Sequence, residues 1–108
     1  MLPLPALTMG AVGTVDAPLS LAPWHYTELF DAWEREDIKT AKRLQDGVVD
    51  IVNVVKLFGA AAAVTKLILS ERLGIDCGRP IPPVSDLNDE QRVIVLEAAG
   101  KVGLLQAP

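Results

Sequence analysis

Gly10-Ala11-Val12-Gly13-Thr14-Val15-Asp16-Ala17-Pro18, running on through Leu19-Ser20-Leu21-Ala22-Pro23, decides how the rest of the chain is read. Gly10 and Gly13 bracket a turn, and Val12 to Val15 is a short, β-branched strand candidate. Ser20 then reads as a helix N-cap, with Pro23 in the first turn, where its missing N–H costs nothing. Strand, turn and helix in this order make a βα unit, the last one of something larger. A lone strand leaves both edges unpaired, so this one either leans on other strands or gives up strand structure.

Upstream, Pro3 and Pro5 sit where a first helical turn tolerates them, and a short helix ending at Gly10 is expected. Downstream the reading is helical almost throughout. Tyr26, Leu29, Phe30 and Trp33 recur at i, i+3, i+4 and i+7, so one face of that helix is core or interface. Asp37 caps a second helix running towards Phe58, with Leu44, Val48, Ile51, Val55 and Phe58 on one stripe, about 30 Å long at 1.5 Å per residue. Val49, Val52 and Val54 widen the stripe enough to predict neighbours on two sides.

Ala60 to Leu73 forms a third long segment, with Val64, Leu67 and Ile68 on one face and Gly74 just past its end. Pro80, Pro82 and Pro83 make residues 75–85 an extended connector. Asn88 and Gln91 have capping-box spacing, and the last helix runs from there to about Val102. The expected fold class is therefore mainly α, with four to five helices and at most one short strand. Residues 1–35 read as the remnant of the βα unit and residues 36–108 as a helical extension, together one structural unit.

The chain has 108 residues, half of them apolar, and a formal net charge of −4. The basic residues are scattered, which argues against nucleic acid, since phosphate binding wants a clustered Lys/Arg face. No uncharged run approaches the ~18 apolar residues of a spanning helix, so no membrane span is expected. The charge-free start lacks a basic region and is broken by prolines, which speaks against an export signal. Cys77 is the only cysteine, which fits a reducing cytoplasm.

Lys66 is the lysine closest to a nucleophile's setting, yet on an apolar helix it reads better as a snorkelling side chain. His25 and Tyr26 are adjacent and point in different directions, so a partly exposed His25 and a packed Tyr26 are expected rather than a proton-transfer pair. Cys77 has no CxxC or histidine partner and reads as a half-buried small residue. Asp31, Glu34, Glu36, Asp37 and Asp46 do not follow a calcium-loop spacing and read as solvated helix ends. No catalytic residue, metal ligand or cofactor is expected within the chain.

The order of the pieces resembles the C-terminal part of the dihydrodipicolinate synthase and N-acetylneuraminate lyase family. The resemblance is carried by Pro5 to Val15, Ala22-Pro23, Leu29-Phe30-Asp31-Ala32-Trp33 with Asp37 and Ala41, Leu73-Gly74-Ile75, Arg79-Pro80, and Leu87-Asn88-Asp89-Glu90 to Gly103-Leu104-Leu105. It implies the helix before strand eight of a (β/α)8 barrel, strand eight, its helix and the C-terminal helical extension. A complete barrel needs about 250 residues.

Family members are Schiff-base aldolases and lyases acting on pyruvate or another 2-oxo acid. Such chemistry needs a lysine of lowered pKa, because only the neutral amine attacks a carbonyl. The resemblance implies that this lysine, the carboxylate-binding loop and the tyrosine acid/base belong to strands six, two and five, upstream of these residues. It carries over only Val15, Asp16 and Ala17, as the rim of a substrate pocket. Self-association or association with a complete family member is the expected partnership. The competing reading is an independent helical oligomerisation module.

Overall fold

A computed structural model describes residues 2–108. Its elements are α1 (Pro3–Thr8), a 3-10 turn at Ala17–Ser20, α2 (Pro23–Glu34), α3 (Ile38–Val55), a second 3-10 turn at Leu57–Gly59, α4 (Ala61–Leu73) and α5 (Asp89–Lys101). The fold is mainly helical, as expected. No strand forms among the described residues.

The helix boundaries follow from local chemistry. The Asp37 carboxylate accepts the Thr40 amide at 3.1 Å and starts α3. Hydrogen bonding from Thr40, the side chain first and the backbone amide second, holds the Asp37 carboxyl below the usual carboxylate range. Asn88 and Gln91 complete the capping box of α5 in both directions, at 2.8 and 3.0 Å. Pro23 lies in the first turn of α2, as expected, but Ser20 is not its cap. Ala22 occupies that position, and the Ser20 hydroxyl turns back to donate to the Ala17 carbonyl within the 3-10 turn.

The C-terminus of α1 closes through Ala11 N–H to Ala6 O and Gly10 N–H to Leu7 O, with Gly10 at φ 95°. This paired closure needs a left-handed residue, for which glycine is the usual choice. The end of α2 repeats the pattern with Asp37 N–H to Ala32 O and Glu36 N–H to Trp33 O. There the left-handed position holds Glu36, at φ 60°.

The long helix is shorter than its apolar stripe suggested. α3 stops at Val55, and Phe58 is left-handed at φ 58° and nearly half exposed, not on the buried face. Val49 is also partly exposed, at 39%. The rest of the stripe is buried, and it divides the molecule's interior. Leu44 and Val48 pack with Tyr26, Leu29 and the α1 residues Leu4 and Leu7. Ile51, Val54 and Val55 pack with Val64, Ile68, Val95 and Leu104 from α4, α5 and the chain beyond. Thus α3 is a shared wall between α1 and α2 on one part and α4 and α5 on the other, which is why its apolar surface wraps wide.

Three polar ties link these parts. The buried Gln45 accepts the Leu4 amide at 2.9 Å, satisfying an N–H that the first turn of α1 leaves without a helical partner. From the last turn of α4, Arg72 donates to the carbonyls of Leu21 and Leu104 and lies 5.2 Å from the Trp24 ring centroid. The Lys66 ammonium donates to the Cys77 carbonyl at 2.9 Å and fastens the connector to α4. Residues 75–85 form no helix or strand.

Candidate functional site

The stretch from residue 11 to residue 16 is poorly covered by the rest of the chain. Val12 is 98% and Val15 100% exposed. β-branched apolar side chains at that exposure are a surface waiting for neighbours, since burying each would contribute about 1.5–3 kcal/mol. The strand candidate Val12 to Val15 gives up strand structure, one of the two outcomes its sequence allowed, because the N–H and C=O groups of an isolated strand find no ladder partner.

The stretch is nonetheless fixed at both ends. At one end the Ala11 amide donates to Ala6 O at 3.0 Å. At the other the Tyr26 hydroxyl donates to Asp16 Oδ2 at 2.7 Å. Tyr26 is 2% exposed. Its burial, followed by the hydrogen bond to Asp16 and the charge of that carboxylate, raises the phenol well above the ordinary tyrosine range. Between the stretch and α2 lies an open groove of about 360 Å³, with Gly13 and Thr14 on one side and Tyr26 and Phe30 on the other.

His25 and Tyr26 part company as their adjacency predicts. His25 Nε2 sits 2.7 Å from the Leu44 carbonyl, so that nitrogen carries the proton. The imidazole turns its Cε1–Nε2 edge to α3 at Gly47, where an added Cβ would come within 2.6 Å of those atoms. Lys66 does not snorkel freely but is held by the Cys77 carbonyl. Cys77 is half-buried, with its amide donating to Ser70 Oγ. Among the described residues no cluster of His, Cys, Asp and Glu could hold a metal ion. No described helix is long and apolar enough to cross a membrane.

A second cleft, about 520 Å³, opens between α4, the connector and the start of α5. Arg79 and Asp86 approach to 3.5 Å across it, and Asp76, Asp89 and Arg92 also face it. Charges of both signs at an exposed site give no preference for one ligand class, and the pair there is worth little.

The chain aligns along nearly its whole length with known enzymes. It is 25% identical over 104 residues to the 4-hydroxy-tetrahydrodipicolinate synthase of Methanopyrus kandleri, covering 96% of this chain and 34% of that protein. It is 30% identical over 102 residues to the enzyme of the same name from Bifidobacterium animalis subsp. lactis, covering 94% and 34%. Its fold superposes on the Proteus mirabilis N-acetylneuraminate lyase with a TM-score of 0.78 at 26% identity, covering 92% of this chain and 33% of that one. The chain corresponds to the C-terminal part of the dihydrodipicolinate synthase and N-acetylneuraminate lyase family.

It spans about a third of the length of the family members it matches. No protein-family profile matches it. The helical body seen here matches the C-terminal part of the N-acetylneuraminate lyase barrel chain. The residues singled out by resemblance, Val15, Asp16 and Ala17, stand together at the end of the exposed stretch. Val15 and Ala17 are exposed, whereas Asp16 is half-buried against α2. The tie between Asp16 and Tyr26 was not anticipated from sequence, nor was the approach of His25 to Gly47. The only hint available was a glycine inside an otherwise strong helix pattern.

Proposed function

We propose that these residues are the closing segment of a Schiff-base lyase acting on pyruvate or a related 2-oxo acid, with residues 11–16 taking the place of barrel strand eight. The observation that carries this reading is the bare stretch itself. Val12 and Val15 point away from the helical body, at the place where a barrel strand would meet its two neighbours. On this reading Val15, Asp16 and Ala17 line the rim of the pocket, and the reacting lysine comes from the part of the barrel not represented here.

The same reading makes the chain a cytoplasmic protein and predicts association, either with itself or with the remainder of a family barrel, through the apolar surface around residues 11–16. The 108 residues alone then carry no turnover of their own. The test is a chimera that places them after the first two-thirds of the Methanopyrus kandleri synthase. Backbone amides of residues 12–15 become protected from hydrogen exchange in the chimera and exchange freely in the separate chain. Free exchange in a folded chimera overturns the assignment of this stretch to a barrel strand.

A further inference from the structure

The stretch that would complete a barrel is short, bare and free of helix or sheet bonds, yet it must leave the helical body in one direction if it is to meet its neighbours. We infer that Tyr26 and Asp16 form a positioning clamp that sets this direction. The clamp's purpose rests on the strand-eight reading, while its existence does not.

The geometry is specific. Tyr26 is anchored in the buried cluster that also holds Leu29 and Val48, and its hydroxyl reaches Asp16 Oδ2. Asp16 is the pivot residue. It is extended, at φ −152° and ψ 135°, and its carbonyl accepts the Leu19 amide that begins the 3-10 turn. The next turn ends at Leu21, which is fully buried, so everything from Asp16 onward belongs to the body. Everything from Val12 to Val15 stands off it, over the open groove beside Phe30.

A hydroxyl as buried as that of Tyr26 must have a partner, because an orphaned donor there carries its full desolvation cost. Asp16 meets that need, and the bond holds the residue from which the stretch departs against α2. The carboxylate is thereby turned towards α2, so Asp16 acts on the rim as a positioning residue and not as a group that touches substrate.

The experiment uses the separate 108-residue chain, so that a failure of the clamp is distinguishable from a failure of the barrel reading. Tyr26 is the only tyrosine, so phenolate absorbance during an alkaline titration reports on it alone. Asp16→Ala is expected to bring the titration midpoint down by roughly one unit or more. Near neutral pH, Asp16→Ala and Tyr26→Phe are each expected to speed amide exchange at Leu19 and Leu21 by about tenfold, with α3 to α5 unchanged. Asp16→Asn keeps an accepting oxygen and restores wild-type exchange. The clamp is overturned if Asp16→Ala leaves the midpoint and these amides where they were. It is also overturned if exchange rises equally throughout α3 to α5, the mark of a residue that merely adds stability.

Discussion

The Lys66 ammonium lies 2.9 Å from the Cys77 carbonyl oxygen and donates to it, which makes the most nucleophile-like lysine of the chain a strut of the connector. Ser70 reinforces the strut. Its hydroxyl bonds the Lys66 carbonyl at 2.8 Å and accepts the Cys77 amide at 2.9 Å. Replacing Lys66 by Met removes one of these ties, at a cost of about 1 kcal/mol. Because the loss is local, the clearest readout is the thiol: labelling of Cys77 by a disulfide reagent is expected to accelerate severalfold. Unchanged labelling would show that the connector is held without Lys66.

Glu36 occupies a left-handed C-terminal position that suits a residue without Cβ. Left-handed backbone costs an ordinary residue about 1–2 kcal/mol, while glycine's greater freedom in the unfolded chain returns part of the gain. Glu36→Gly should therefore raise stability by roughly 0.5–1 kcal/mol, seen as a higher midpoint in urea with an unchanged slope. A lower midpoint would mean that the Glu36 side chain contributes more than its backbone strain removes.

Gly47 sits inside α3 with the His25 ring where its Cβ would be. Alanine normally stabilises a helix interior by up to about 1 kcal/mol over glycine. Here it would drive the imidazole off the Leu44 carbonyl, and a net loss of about 1–2 kcal/mol is expected from Gly47→Ala. The imidazole resonances in a proton NMR spectrum would shift with it. Equal or greater stability would place the ring elsewhere.

Tyr26 also sets an alkaline limit. Its phenol is neutral in the folded chain beyond the pH at which an unfolded tyrosine ionises, because burial, and then Asp16, opposes the phenolate. The folded state thus binds more protons than the unfolded one from about pH 10 upward, and stability falls as pH rises through that window. Below it the contribution is fully present. Tyr26→Phe removes the ionising group and should flatten the decline above pH 10. A decline of the same steepness in both chains would assign it to other groups.

Much of this architecture is legible in the sequence because it is local. Asp37 with Thr40, Asn88 with Gln91, and Gly74 after Leu73 are signals read within a turn of helix, and each acts as its residue type predicts. The apolar stripe of α3 likewise announced neighbours on two sides. What sequence could not supply were contacts between distant residues: Gln45 with Leu4, His25 with Leu44, Arg72 with Leu21 and Leu104. Phe58 was misplaced because an apolar residue at the right spacing says nothing of a helix that has already ended. Ser20 was misplaced because its hydroxyl found a carbonyl in its own turn. The strand at Val12 to Val15 was correct as a pattern and absent as an element, since strand structure belongs to a pair of segments and only one is here.

The central claim of the proposal, that a Schiff-base lysine would lie outside these residues, is tested most directly by borohydride trapping. The chain is incubated with pyruvate and reduced, beside the complete Bifidobacterium synthase, and both are read by intact mass. The expected result is an adduct on the complete enzyme and an unmodified mass for the chain. A stoichiometric adduct on the chain, mapped to Lys66 or any other of its lysines, would contradict the account and make the helical segment a carbonyl-binding site in its own right.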